Sequence, residues 1–123
     1  RYPKSPAGMP GVQTLLPILL NEVSKKFISI NDVVRLTSYN PKKIFKVKNK
    51  GLIKKGYDAD FTLVDLNKNQ KVSNKMIKSK CGWTPFHGMN IKGWPVGTMI
   101  MGKKVFWKDK LLSKPIGRPL KFN

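Results

Sequence analysis

A chain of 123 residues can bury one hydrophobic core but is too short for a large enzyme barrel. The 40% hydrophobic fraction argues against wholesale disorder, and the single cysteine excludes an internal disulfide framework and favours a cytoplasmic location. No apolar run approaches the roughly 20 residues of a membrane span, and the net charge of +19 raises the question of nucleic-acid binding.

The basic residues do not follow the pattern of a nucleic-acid-binding protein. Only three of the 25 are arginine, the residue that makes bidentate contacts with phosphate and guanine. The lysines are spread over nearly the whole chain, and their densest run, at 42–55, overlaps helix-end and turn signals. We therefore interpret them as a solvated lysine-rich surface, and nucleic acid is a disfavoured alternative partner.

The first part of the chain predicts a loop and then a helix. Residues 1–11 contain three prolines and two glycines, which is typical of a loop. Apolar residues at helical spacing predict a helix over 12–26. Because proline is tolerated only in the first turn, this helix should begin late, near Thr14, or bend at Pro17.

Two further helix starts follow. Ser29 with Asp32 three residues later is typical of a capped N-terminus. Asn40-Pro41 predicts another short helix, with Asn40 as its cap. Apolar residues after this cap should hold that helix to the core: Ile44, Phe45 and Val47.

The second half of the chain predicts short strands joined by turns. β-branched and aromatic residues predict strands at 50–53, 61–65, 96–101, 105–107 and 120–122. Turns are predicted at 56–60, at 67–70 and in a two-residue hairpin loop, Gly102-Lys103. One helical turn is expected within 73–80, and 81–95 is interpreted as an ordered loop. Helices followed by strands indicate an α+β chain.

Few side chains could bind a metal or catalyse a reaction. The single histidine, His87, and the single cysteine, Cys81, could supply two metal ligands at best, so we interpret them as packing residues. Asp58 and Asp60 flank a turn without a nucleophile or histidine, which indicates turn chemistry. Neither a phosphate-binding glycine loop nor a serine nucleophile elbow is present. The sequence therefore contains no catalytic constellation.

Four stretches are more specific than composition. They are SPAGMPGVQTLLP at 5–17, LTSYNPKKIF at 36–45, KGLIKKGYDADFTLVD at 50–65 and KCGWTPFHGMNIKGWPVGT at 80–98. The third alone is a superfamily signal, whereas the first and fourth together are more specific. In this order they resemble the C-terminal part of dihydroorotases, in the amidohydrolase superfamily close to allantoinases and hydantoinases. One departure is Lys46-Val47, where the family's helix end usually carries glycine.

The resemblance implies an α+β fragment of a larger fold. Residues 1–49 would be the substrate loop and last helices of a (β/α)8 barrel. Residues 50–123 would be the C-terminal strands of a small β-sandwich that both ends of the full chain build together. We expect the fragment alone to expose large apolar patches.

The resemblance also assigns the chemistry mostly to sequence outside this chain. The family's metal ligands are an early His-x-His pair, a carboxylated lysine and two further histidines, which would hold one or two zinc ions. Its catalytic aspartate would lie a little upstream of residue 5. Within this chain, Ala7 and Gly8 would present main-chain groups to the substrate, and neither a metal ligand nor a catalytic residue is expected.

The expected activity is the interconversion of dihydroorotate and carbamoyl aspartate in pyrimidine synthesis. Allantoinase or dihydropyrimidinase-like hydrolysis is the nearest alternative, and a non-catalytic dihydroorotase-like partner subunit is another. The expected partners are the missing N-terminal part of the same enzyme and a cyclic amide substrate. A homo-oligomer is left open, and no membrane association is expected.

Overall fold

In the computed structural model, which describes residues 8–122, short helices are followed by an antiparallel sheet. The helices are α1 (Leu15–Ser24), α2 (Ile30–Val34) and α3 (Asn40–Ile44), with a π-helical turn at Arg35–Tyr39 and a 3₁₀ turn at Asn74–Met76. The strands are β1 (Phe61–Lys71), β2 (Asn90–Ile100), β3 (Lys103–Trp107) and β4 (Lys110–Leu111), which form one four-stranded sheet in chain order. The predicted order of helices before strands is confirmed.

Helix α1 begins late, as predicted, and Pro17 falls in its first turn. Proline is tolerated there because the first N–H groups of a helix have no partner inside the helix. The Gly11 carbonyl accepts the N–H groups of Thr14 and Leu15 at 3.0 and 2.8 Å. The loop before the helix is thereby joined to its first turn.

The predicted start of α2 and the predicted short helix at Asn40-Pro41 are confirmed, but the assignment of Asn40 as a cap is wrong. Ser29 and Asp32 form a capping box, in which the Asp32 N–H donates to Ser29 Oγ at 3.1 Å and the Ser29 N–H donates to Asp32 Oδ2 at 2.9 Å. Asn40 does not cap a new helix, because the π-helical turn leads directly into α3. The wider turn accommodates Pro41, which has no N–H to donate.

Helix α3 ends in the left-handed backbone conformation that glycine usually adopts, although a lysine occupies this position. Lys46 has φ of 51°, in the left-handed region. The Val47 N–H reaches back to the Lys42 carbonyl at 3.0 Å, which completes a Schellman-type end. Val47 is buried, but Ile44 and Phe45 are 70% and 63% exposed. Their predicted packing against a core is therefore wrong within the described residues, because the face that carries them has no partner there.

Strand β1 is longer than predicted because it contains the predicted turn. The Asp65 carboxylate accepts the N–H groups of Asn67 and Lys68 at 2.8 and 3.2 Å, which is the expected turn chemistry. The pairing with β2 shifts between Asp65 and Asn69, so this turn is an irregularity within one strand. The strand predicted at 50–53 is wrong, since those residues form a bend and coil.

Strand β2 begins inside the segment that was predicted to be a loop. Its glycine and proline suggested a loop, but Pro95 lies where the β1 pairing shifts between Leu63 and Val64, a place where a sheet tolerates proline. The predicted hairpin between β2 and β3 is confirmed, but its two-residue loop lies one residue earlier in the chain than predicted. Its loop is Met101-Gly102, with φ of 48° and 75°.

The core lies between α1 and the sheet. It consists of Val72, Ile91 and Trp94, and Ile18 of α1 packs against it with Met76 and Phe86. The tail returns to the helical part, where Phe122 forms an isolated bridge with Val47. The segments 8–49 and 50–122 are therefore in direct contact.

Within the described residues, no helix has the length and apolar character needed to cross a membrane.

Candidate functional site

The predicted substrate loop is only partly covered by the structure. Ala7 lies outside the described residues. Gly8 is exposed, and a Cβ atom at this position would meet no atom within 4 Å. Gly11, at the other end of the loop, is joined to α1 through its carbonyl. A side chain at position 8 would therefore meet open space.

A second connection holds the start of α1 to the distant 3₁₀ segment. The Gln13 side chain donates from Nε2 to the Met76 carbonyl at 2.8 Å. Its Oε1 accepts the Lys78 N–H at 2.9 Å. Gln13 is exposed. The sequence does not reveal this contact, because an exposed polar residue at a helix start ordinarily forms hydrogen bonds with water. Nothing in its spacing indicates partners 63 and 65 residues away.

The segment that follows the 3₁₀ turn is an ordered loop up to residue 89, as predicted. Asn74 holds it at two points, because its Oδ1 accepts the Thr84 N–H at 3.0 Å and its N–H donates to His87 Nδ1 at 3.1 Å. Thr84 is 4% exposed. Val72 closes the base of the loop through hydrogen bonds with Gly88 and Met89.

The prediction that Cys81 and His87 are packing residues is wrong, because both are exposed. His87 serves as a hydrogen-bond acceptor for the main chain. The Cys81 thiol lies 3.2 Å from the Ser79 hydroxyl. This hydrogen bond and main-chain contacts, chiefly with Trp83, lower the pKa of Cys81.

Metal binding by this part of the chain is not supported. In residues 8–122, no group of three or more histidine, cysteine, aspartate or glutamate side chains lies close enough to hold an ion. A protein site for zinc uses at least three such ligands. The residues present therefore do not fit the metal that the resemblance implies.

The aspartates at 58 and 60 form a structural ion cluster. Lys50 Nζ contacts Asp58 at 2.9 Å and also pairs with Asp60. The Asp60 carboxylate accepts the Met101 N–H at 2.8 Å, which joins this turn to the β2–β3 hairpin. Burial is the largest influence on the Asp60 pKa and raises it, but the Lys50 and Met101 hydrogen bonds and the Lys50 charge together lower the pKa below its usual value. Hydrogen bonds to Asp60 and Asp58 raise the pKa of Lys50.

A wide apolar groove of about 1000 Å³ lies between the helices and the start of β1. It is lined mainly by aliphatic side chains from both parts of the chain, among them Leu16, Val33, Ile53, Val64 and Leu120. Several large apolar residues are highly exposed, with Val12 at 99% and Ile53 at 88%. Apolar surface of this extent is typical of a surface that contacts further protein.

In the described residues, short helices pack on an antiparallel sheet and border an apolar groove. The sequence model of the Amidohydrolase family matches residues 12–105, and the chain belongs to this family. Dihydroorotase from Pyrococcus furiosus is 41% identical over 111 residues, which cover 90% of this chain and 27% of that protein. Dihydroorotase from Methanosarcina acetivorans is 37% identical over 113 residues, which cover 90% and 24%.

Solved structures give the same fold. L-hydantoinase from Arthrobacter aurescens superposes with a TM-score of 0.82 at 33% identity, covering 87% of this chain and 24% of that one. A D-hydantoinase superposes with a TM-score of 0.80 at 27% identity, covering 86% and 23%. The chain thus spans about a quarter of the length of the relatives it matches.

Proposed function

We propose that this chain is the C-terminal quarter of a dihydroorotase, which interconverts dihydroorotate and carbamoyl aspartate. The observation that carries the proposal is the 41% identity to a dihydroorotase over 90% of the chain. The stretches at 5–17 and 80–98, which are the more specific part of the resemblance, support the same assignment.

In this proposal, residues 1–49 close the barrel and residues 50–123 form one part of the sandwich. The exposed faces of α2 and α3 and the apolar groove support it, because a barrel helix buries such a face against neighbouring elements. Within residues 8–122, strand β1 is an edge of the sheet, and an edge strand can pair with a further strand through its main-chain groups. The occupant of the groove and of this edge is the preceding part of the same protein.

The proposed division of labour follows the resemblance to dihydroorotases. The metal ligands, with zinc as the proposed ion, and the catalytic aspartate belong to the preceding part of the protein. This chain supplies the main-chain groups of Ala7 and Gly8 to the cyclic amide. Glycine suits this role because it allows close approach of the backbone to a ligand.

The experiment compares the chain alone with the whole protein that contains it. Each is incubated with dihydroorotate and zinc, and ring opening to carbamoyl aspartate is measured. The whole protein should turn over substrate, and the chain alone should give no turnover. Activity of the chain alone would contradict the assignment of the catalytic residues to the preceding part.

A hydantoinase or dihydropyrimidinase-like activity is the second candidate, because the superposed structures are hydantoinases. Allantoinase belongs to the same alternative. The same assay with hydantoin, dihydrouracil and allantoin separates them from the leading proposal. Faster turnover of one of these rings than of dihydroorotate would favour the second candidate. Absence of turnover with every ring would favour a non-catalytic partner subunit.

A further inference from the structure

We infer that Gln13 is a positioning residue that fixes the substrate loop of the proposed enzyme against the 3₁₀ segment at 74–78. The inference rests on the proposed function and adds a residue to it. Gln13 lies five residues after Gly8 in the chain. It acts through the helix start that follows the loop.

The Gln13 amide uses both of its polar ends on main-chain groups of one short segment. The donated bond to the Met76 carbonyl and the accepted bond from the Lys78 N–H are 2.8 and 2.9 Å long. A planar amide that pairs in this way with residues two apart fixes both distance and orientation. Gln13 therefore acts as a clamp between the helix start and the 3₁₀ segment.

The clamp joins the helix start that follows the loop to a segment that packs against the core. The segment it grips is anchored to the core, because Met76 packs against Val72, Ile91 and Trp94. Two residues before Gln13, the Gly11 carbonyl accepts N–H groups of Thr14 and Leu15. Since Gly8 is only three residues before Gly11, the position of its backbone depends on this anchor.

A second connection on the same helix provides a matched comparison. Asn21 accepts the Lys92 N–H at 3.1 Å, which joins the later part of α1 to β2. Asn21 is 6% exposed, so we expect its hydrogen bond to stabilise the helix at least as much as the Gln13 hydrogen bonds do. It lies two turns beyond the loop and should have no influence on substrate.

The loss of the Gln13 clamp should weaken substrate binding without changing the chemical step. If the loop spends only a fraction of the time in its binding position, the apparent affinity falls by that fraction. Loss of two hydrogen bonds predicts a rise in KM of about tenfold. An interaction lost equally from ground and transition state leaves kcat within about twofold.

The test uses the whole protein in four forms: unsubstituted, Gln13→Ala, Gln13→Glu and Asn21→Ala. Gln13→Ala should raise KM about tenfold. Gln13→Glu should also raise KM, because its carboxylate keeps the acceptor for Lys78 but places a second acceptor opposite the Met76 carbonyl. Asn21→Ala should lower the urea midpoint and leave KM unchanged. An unchanged KM in Gln13→Ala, or an equal rise in Asn21→Ala, would overturn the inference.

Hydrogen exchange gives a readout that does not require activity. The Lys78 amide should exchange faster in Gln13→Ala than in the unsubstituted protein, and Asn21→Ala should accelerate the Lys92 amide instead. If the unsubstituted protein shows no turnover, both the proposed function and the positioning role of Gln13 are refuted. If the protein is active but Gln13→Ala does not change the exchange rate of the Lys78 amide, only the positioning role is refuted.

Discussion

Replacement of Gly93 by alanine tests the contact between α1 and the sheet. Gly93 lies in β2 with φ of 95°, and an added Cβ atom would lie 2.8 Å from Leu20 Cβ. Real Cβ atoms do not approach that closely, so the helix must move away from the strand. The Leu20 side chain is 1% exposed, which leaves little room for movement.

The expected loss of stability has two sources. Positive φ costs a non-glycine residue roughly 1–2 kcal/mol, and overpacking costs typically about 1–3 kcal/mol. Gly56→Ala is the matched control, because Gly56 has φ of 86° but open space around its Cβ position. Urea unfolding of the purified protein, followed by tryptophan fluorescence, should show Gly93→Ala to be less stable than Gly56→Ala by about 1–3 kcal/mol. Equal losses would refute the packing of α1 on β2.

Three further predictions concern the helix end, the ion cluster and the thiol. Lys46→Gly should raise the free energy of unfolding by about 0.5–1 kcal/mol, because Lys46 has positive φ. Asn49→Gly is the control and should raise it by less, since asparagine tolerates positive φ better than lysine does. The pKa of Asp60 is lowered in the folded protein, so the ionised carboxylate stabilises the fold at neutral pH, and this stabilisation is lost as the pH falls below about 4. Urea midpoints measured between about pH 3 and 7 should therefore fall less at acid pH in Asp60→Asn than in the unsubstituted protein. The lowered pKa of Cys81 predicts faster labelling by iodoacetamide at pH 7 than for an unperturbed thiol. Ser79→Ala removes the hydrogen-bond partner of the thiol and should slow labelling, whereas the control Ser113→Ala should leave the rate unchanged.

The parts of the fold that depend on neighbouring residues in the sequence were predictable. The Ser29–Asp32 capping box, the late start before Pro17 and the β2–β3 hairpin are all formed from residues close together in the chain. Such signals depend on local hydrogen bonding and on fixed backbone angles.

The errors arise where tertiary contacts overrule a local signal. The turn residues after Asp65 form an irregularity because β2 pairs on both sides of them. Pro95 stays in a central strand because the pairing shifts at that point. The run at 50–53 has the composition of a strand, but no strand within residues 8–122 pairs with it. Composition cannot reveal any of these partners.

The expectations for the candidate site came from the family resemblance and not from local sequence patterns. The chain has one histidine and one cysteine, and no metal ligand was expected from them. The contact of Gln13 with residues 76 and 78 depends on the packing of α1 against the core, which no local pattern shows. Ala7 and Gly8 keep their assignment as a prediction.

The most direct test of the central claim is the coding sequence immediately upstream of the Arg1 codon. The proposed function predicts an open frame that encodes a His-x-His pair, a central lysine, two further histidines and an aspartate shortly before residue 5. The same frame with those residues replaced would contradict a catalytic role. A start codon directly before Arg1 would contradict the claim that this chain is part of a longer enzyme.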